Sequence, residues 1–231
     1  QDGACNVLFS QVSSGSSHAC GIRGDDSTVV CWGYNERSCN PPAGAFKQVG
    51  AGYNYTCGIQ GDDSVACWGF DSAGTTTPPA GSFKAIAVGV MHSCGIRGDD
   101  SVACWGQDQQ GQATSPGGSF KQVSVGAFHS CGIGSDDTLS CWGANDNGES
   151  TPPAGAFKQL SAGESHTCAI RSGDDQVECW GKNTYGQASP PPDSFKALSA
   201  AAEFTCGIRS DDTLACWGVA RLAGNVQEPT P

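Results

Sequence analysis

Residues 83–106 read Phe-Lys-Ala-Ile-Ala-Val-Gly-Val-Met-His-Ser-Cys-Gly-Ile-Arg-Gly-Asp-Asp-Ser-Val-Ala-Cys-Trp-Gly, and the chain carries six versions of this stretch. Each copy opens on a phenylalanine: Phe9, Phe46, Phe83, Phe120, Phe157 and Phe195. The steps between them are 37, 37, 37, 37 and 38 residues. A strict period of this length marks an array of units too small to bury a core alone, so each must pack on its neighbours. Six units fill nearly all of residues 1–231, which therefore read as a single domain.

Within one copy the chemistry points to three short strands. Phe83, Ala85 and Ala87 alternate with Lys84, Ile86 and Val88 in a mostly apolar run. Two further short segments follow, with Arg-Gly-Asp-Asp between them as a hairpin turn. After Trp-Gly comes a variable stretch rich in Pro and Gly, with no room for a helix. All-β repeats of this size read as propeller blades, so the expected fold is a six-bladed β-propeller. Residues 1–8 are expected to form an N-terminal arm that closes the ring.

The cysteines carry the same period. Of 14, 12 fall in six pairs: Cys20–Cys31, Cys57–Cys67, Cys94–Cys104, Cys131–Cys141, Cys168–Cys179 and Cys206–Cys216. Cys94 and Cys104 are symmetric about Asp99, so they face each other across the hairpin, close enough for a bridge. Zinc is the competing reading, but no close second pair completes four ligands. One disulfide per blade follows, each stabilising by at most roughly 2.5–3 kcal/mol on the chain-entropy model. Copies one and five hold one extra residue between their cysteines, placed by this reading in the turn. Paired cysteines imply an oxidising, extracellular compartment. No leader precedes Gln1, so a secreted protein would be seen here in its mature form. No apolar run approaches the length of a membrane helix. A net charge of −11 argues against nucleic acid as partner.

His-Ser-Cys-Gly-Ile followed by Val-Ala-Cys-Trp-Gly-Gln resembles the repeat of the RCC1-like β-propellers. The cysteine-bearing form is similar to the Crinkly4-type receptor ectodomains and to secreted bacterial RCC1-like proteins. The resemblance covers residues 9–231 and implies an RCC1-like propeller. It does not imply one function, because the family hosts several unrelated ones. Two departures matter: the turn is Asp-Asp where the family usually has Asp-Gly, and there are six cysteine-paired repeats where the nuclear members have seven reduced ones. The nuclear exchange role is set aside on this ground. By exclusion, the two remaining cysteines would form a Cys5–Cys39 bridge pinning the arm where the ring closes.

Whatever recurs in every copy serves the blade, and whatever is unique is free to serve a ligand. The six tryptophans and six periodic phenylalanines are therefore structural. His18, His92, His129 and His166 share one position, filled by Tyr55 and Phe204 in the other copies, so packing explains them better than metal binding or catalysis. The Asp-Asp turns form an acidic ring, and two adjacent carboxylates supply too few oxygens for calcium. Arg23, Arg97, Arg171 and Arg209 precede four of these turns and are expected to neutralise them in part. No nucleophile–base constellation is present, so no enzyme, cofactor or metal site is expected.

Subtraction leaves two sets of variable loops, one before the His position and one after Trp-Gly. They carry Tyr34, Tyr53, Phe70, Met91, Asp108, Phe128, Lys182 and Tyr185 as candidate binding residues. Asn54-Tyr55-Thr56 is a glycosylation sequon at Asn54. The expected function is a secreted recognition module that binds a protein partner through one face. A lectin with repeated sugar sites is the alternative, and an enzyme the third reading.

Overall fold

The computed structural model describes residues 8–34 and 38–219. Eighteen strands form six three-stranded antiparallel sheets, one per repeat. The first blade consists of β1 (Phe9–Ser14), β2 (His18–Arg23) and β3 (Val29–Gly33), in that order across the sheet. The others span 46–69, 83–106, 120–143, 157–181 and 195–218. Together they are the six blades of a propeller. Its two faces are the two ends of the strands: a turn face carrying the Asp-Asp hairpins, and a loop face carrying the His-side and Trp-Gly-side loops.

All six expected intrablade disulfides are present, with Cα atoms 4.0 Å apart. Each pair sits directly opposite in the second-to-third-strand register, in copies one and five as in the rest. The extra residue of those two copies is thus absorbed in the turn. Cys39 has no disulfide partner among the described residues. Cys5 lies outside them, and with it the expected Cys5–Cys39 bridge and residues 1–7 of the arm.

The alternation expected in the first strand does not hold. Phe83 and Ile86 are both buried although they are three residues apart. A β-bulge between Phe83 and Ala85 shifts the register by one, and it recurs in every blade. Two large apolar side chains of one strand thereby reach the same interface.

The core lies between blades. Cys94, Ile96 and Val102 of blade three pack with Phe120, Val123 and Trp142 of blade four, and four equivalent clusters join the other consecutive pairs. A polar belt runs beside them. His18 Nε2 hydrogen-bonds Thr56 Oγ1 at 2.7 Å, His92 Nε2 bonds Ser130 Oγ, His129 Nε2 bonds Thr167 Oγ1, and His166 Nε2 bonds Thr205 Oγ1. Tyr55 fills the same role, its hydroxyl 2.9 Å from Ser93 Oγ. Burial lowers these histidines, His92 to about 3 and His129 and His166 to about 4. They are neutral structural groups near pH 7.

The sixth seam differs. Its belt positions are Phe204 on blade six and Ala19 on blade one, so both polar partners are missing together. The faces that would meet there are Phe9, Val12 and Trp32 on one side and Ile208 and Leu214 on the other. Each is at least 39% exposed among the described residues. Five interfaces are therefore packed, and the sixth presents two apolar halves of the same kind.

Candidate interaction face

The two variable loop sets meet on one face. In every blade the residue after Trp-Gly donates its backbone N–H to the carbonyl just before the His position. Phe70 bonds Asn54 at 2.8 Å, Gln107 bonds Met91, Ala144 bonds Phe128 and Lys182 bonds Ser165. Loops far apart in sequence are thus stitched to a rigid sheet end, and their side chains are presented without a large ordering cost.

Three of the candidate residues converge. Tyr53, Phe70 and Met91 line a 190 Å³ socket between blades two and three, together with Val90 and Asn54. Tyr53 and Phe70 are each 49% exposed, so their rings are held by the socket wall and remain open to solvent. Beside it the central channel opens as a 400 Å³ mouth. Every blade contributes to that mouth, and Tyr53 lines both concavities.

A family model described as the regulator of chromosome condensation (RCC1) repeat matches residues 9–39, 83–112, 120–149 and 157–187, more than half of the chain. The chain belongs to the RCC1 repeat family. Among solved structures it is similar to the entire ectodomain of the receptor kinase CR4 from Physcomitrella patens. That match has 25% identity and a TM-score of 0.81, covering 95% of this chain and 66% of that one. The chain thus spans just under two thirds of that ectodomain. The CRINKLY WD40 ectodomain of the Arabidopsis thaliana receptor kinase ACR4 matches at 25% identity and a TM-score of 0.77, covering 94% of this chain and 83% of that one. Prp20p of Saccharomyces cerevisiae, described with its binding to Gsp1p and histones, shares the fold at 15% identity and a TM-score of 0.75 over 90% of this chain and 71% of its own. No curated protein matches this sequence.

Other candidates are spread around the RCC1-repeat scaffold. Tyr34 stands 90% exposed on blade one and Phe128 43% exposed on blade four, while Lys182 and Tyr185 belong to the loop of blade five. Asp108 holds its own loop, accepting the Ala113 N–H at 2.8 Å and the Thr114 hydroxyl at 2.7 Å. Asp71, Asn145 and Asn183 do the same in neighbouring blades, so this position recurs. At the sequon, Thr56 is fully buried and bonded to His18, which gives its hydroxyl a structural role.

The turn face accounts for its own charge. Asp62, Asp99, Asp136 and Asp211 each accept the backbone N–H and the hydroxyl of the residue two on, as Asp26 does in the longer first turn; Asp62 takes the Ser64 N–H at 3.0 Å and its hydroxyl at 2.7 Å. The hydroxyl bond is the main reason its carboxyl lies below the usual carboxylate range. In the first turn Ser27 adopts positive φ; in the other five the second aspartate does, 70° at Asp63, which aspartate tolerates better than most residues. Its carbonyl accepts the N–H of the next blade's phenylalanine, as in Phe83 to Asp63 at 2.9 Å. Lys47, Lys84, Lys121, Lys158 and Lys196 pair with Asp63, Asp100, Asp137, Asp175 and Asp212. Of the four arginines, Arg23 bridges its turn acids directly, and Arg97 and Arg209 add their charge to the hydroxyl and backbone bonds that lower Asp99 and Asp211. Arg171 pairs with Glu178 and Arg209 with Asp193, while Arg97 lies over the Phe83 ring.

One structural set was missed in the sequence. Ser38, Thr75, Gln112, Glu149 and Gln187 are buried plugs in the linkers between blades. The carbonyls of the first four accept the indole N–H of Trp68, Trp105, Trp142 and Trp180 in the following blade, at 2.9–3.2 Å. A glycine with φ near 80° precedes four of them, at Gly74, Gly111, Gly148 and Gly186. That glycine–polar pair repeats at the blade period and was the available signal.

Proposed function

We propose that this chain is an extracellular recognition module that binds a protein partner through its loop face and performs no catalysis. The observation that carries the reading is the convergence of Tyr53, Phe70 and Met91, residues unique to their blades, around one socket on the face where backbone bonds immobilise the variable loops. Half-exposed aromatic side chains on a rigid scaffold are the usual anchors of protein interfaces. Six disulfides and the likeness to two receptor ectodomains support an extracellular setting. Among the described residues no group of three or more His, Cys, Asp or Glu side chains could hold a metal ion. No helix among them is long and apolar enough to cross a membrane.

The test compares native protein with the double variant Tyr53→Ala/Phe70→Ala as bait against extracellular protein extracts and a glycan array. A protein bound by the native chain and lost from the variant supports the reading. Sugar-competed binding that survives the double substitution assigns the lectin function instead.

A further inference from the structure

The charges of the described residues are sorted by face. Lys47, Lys84, Lys121, Lys158 and Lys196 each lie one residue into a first strand, beside the hairpin turns, and are paired there. Arg23, Arg97, Arg171 and Arg209 end the second strands at the same level. On the loop face, Lys182 is the only Lys or Arg among the described residues. Asp71, Asp108, Asp146, Glu164 and Glu203 stand on that face, and Glu164 and Tyr53 line the same channel mouth. Asp71 follows Phe70 directly, so a carboxylate adjoins the socket.

Size narrows the ligand further. A volume of 190 Å³ is below that of a typical small-molecule pocket and suits one apolar side chain. Exposed Tyr53 and Phe70 rings attract guanidinium and ammonium groups as well as apolar ones. An acidic surface repels polyanions and speeds the approach of a cationic partner.

We propose that the loop face receives a cationic polypeptide segment. One apolar side chain of that segment seats between Tyr53, Phe70 and Met91, and flanking lysines or arginines lie over Asp71, Asp108 and the two rings. This specifies the partner class for the recognition reading above and rests on it.

Blades four and five supply a control, because Asn145 and Asn183 occupy the loop-holding position of Asp71 and Asp108 and make the same acceptor bond. Asp71→Asn/Asp108→Asn therefore removes charge while keeping the loops. The probes are fluorescein-labelled peptides with one central phenylalanine flanked by lysine and arginine. Matched peptides carry glutamate in place of the bases, or glycine in place of phenylalanine. Fluorescence anisotropy is read at low salt and at about 0.15 M, where exposed charges more than about 8 Å apart are largely screened.

Only the basic, phenylalanine-centred peptide should bind well. Phe70→Ala should weaken it by about tenfold. Asp71→Asn/Asp108→Asn should weaken it several-fold and flatten its salt dependence. No binding of the basic peptide, or binding unchanged by both variants, overturns the proposal. Phe70-dependent binding of the glutamate peptide overturns the cationic ligand and leaves the recognition face standing. Basic-peptide binding lost only in Asp63→Asn would move the site to the turn face and remove both.

Discussion

On the turn face, Asp63, Asp100, Asp137, Asp175 and Asp212 each hold a lysine, and the carbonyls of the first four bind the next blade. On the loop face, Asp146 and Glu164 stand exposed in different loops, on the same face as the half-exposed rings of Tyr53 and Phe70. Both faces are acidic in sequence, but on the turn face lysines pair with the aspartates, whereas Lys182 is the only Lys or Arg on the loop face among the described residues. Net charge alone says nothing of this partition. The same lesson holds for phenylalanine: Phe83 is 1% exposed in an interblade cluster, whereas Phe70 is 49% exposed on the socket.

Full reduction of the six disulfides should have the largest effect, because the loop face stands on the scaffold they staple. Each staple contributes roughly 2–3 kcal/mol, so their joint loss should unfold the array and abolish binding together. A melting temperature unchanged by complete reduction, with free thiols counted, would contradict this. Next in size is a pair of phenylalanine substitutions followed by denaturant titration. Phe83→Ala should cost about 3–5 kcal/mol, whereas Phe70→Ala should stay within about 0.5 kcal/mol. Equal costs would erase the distinction between core and surface.

Acid should loosen the scaffold through the belt. His92, His129 and His166 have folded values of about 3 to 4, below the ordinary 6.5. The unfolded chain binds their protons first, so stability is fully present above about pH 6.5 and falls as pH drops toward 4. Denaturation measured across that window should show net proton uptake on unfolding, and a flat profile would mean that the belt is not buried and neutral. The smallest effect belongs to the turn face, where Asp63→Asn breaks a half-exposed pair with Lys47 and should cost under about 1 kcal/mol. Its binding should match that of the native chain.

The repeat made much of the scaffold legible. Cysteine spacing identified every intrablade bridge, and the subtraction of recurring positions brought Tyr53, Phe70 and Met91 forward before their convergence was visible. Other features depend on relations between copies. The bulge after each phenylalanine is a register event that side-chain alternation hides. The indole-to-linker bonds join positions about 30 residues apart. Asp108 looked unique because aspartate and asparagine share one job across four loops. Arg171 was assigned to the nearest acids in sequence, while Lys158 in the first strand of the same blade is the cation that reaches Asp175. Tyr34, Phe128 and Tyr185 are not among the residues that line the socket.

The central claim is that recognition belongs to the loop face and that the turn-face charges serve the scaffold. Its most direct measurement is the affinity of one ligand selected on the native protein, determined for Tyr53→Ala/Phe70→Ala and for Asp63→Asn, with disulfides confirmed intact in both. The account predicts a loss of tenfold or more for the first variant, about 1.4 kcal/mol at minimum, and native affinity for the second. Native affinity in the first with loss in the second would contradict it.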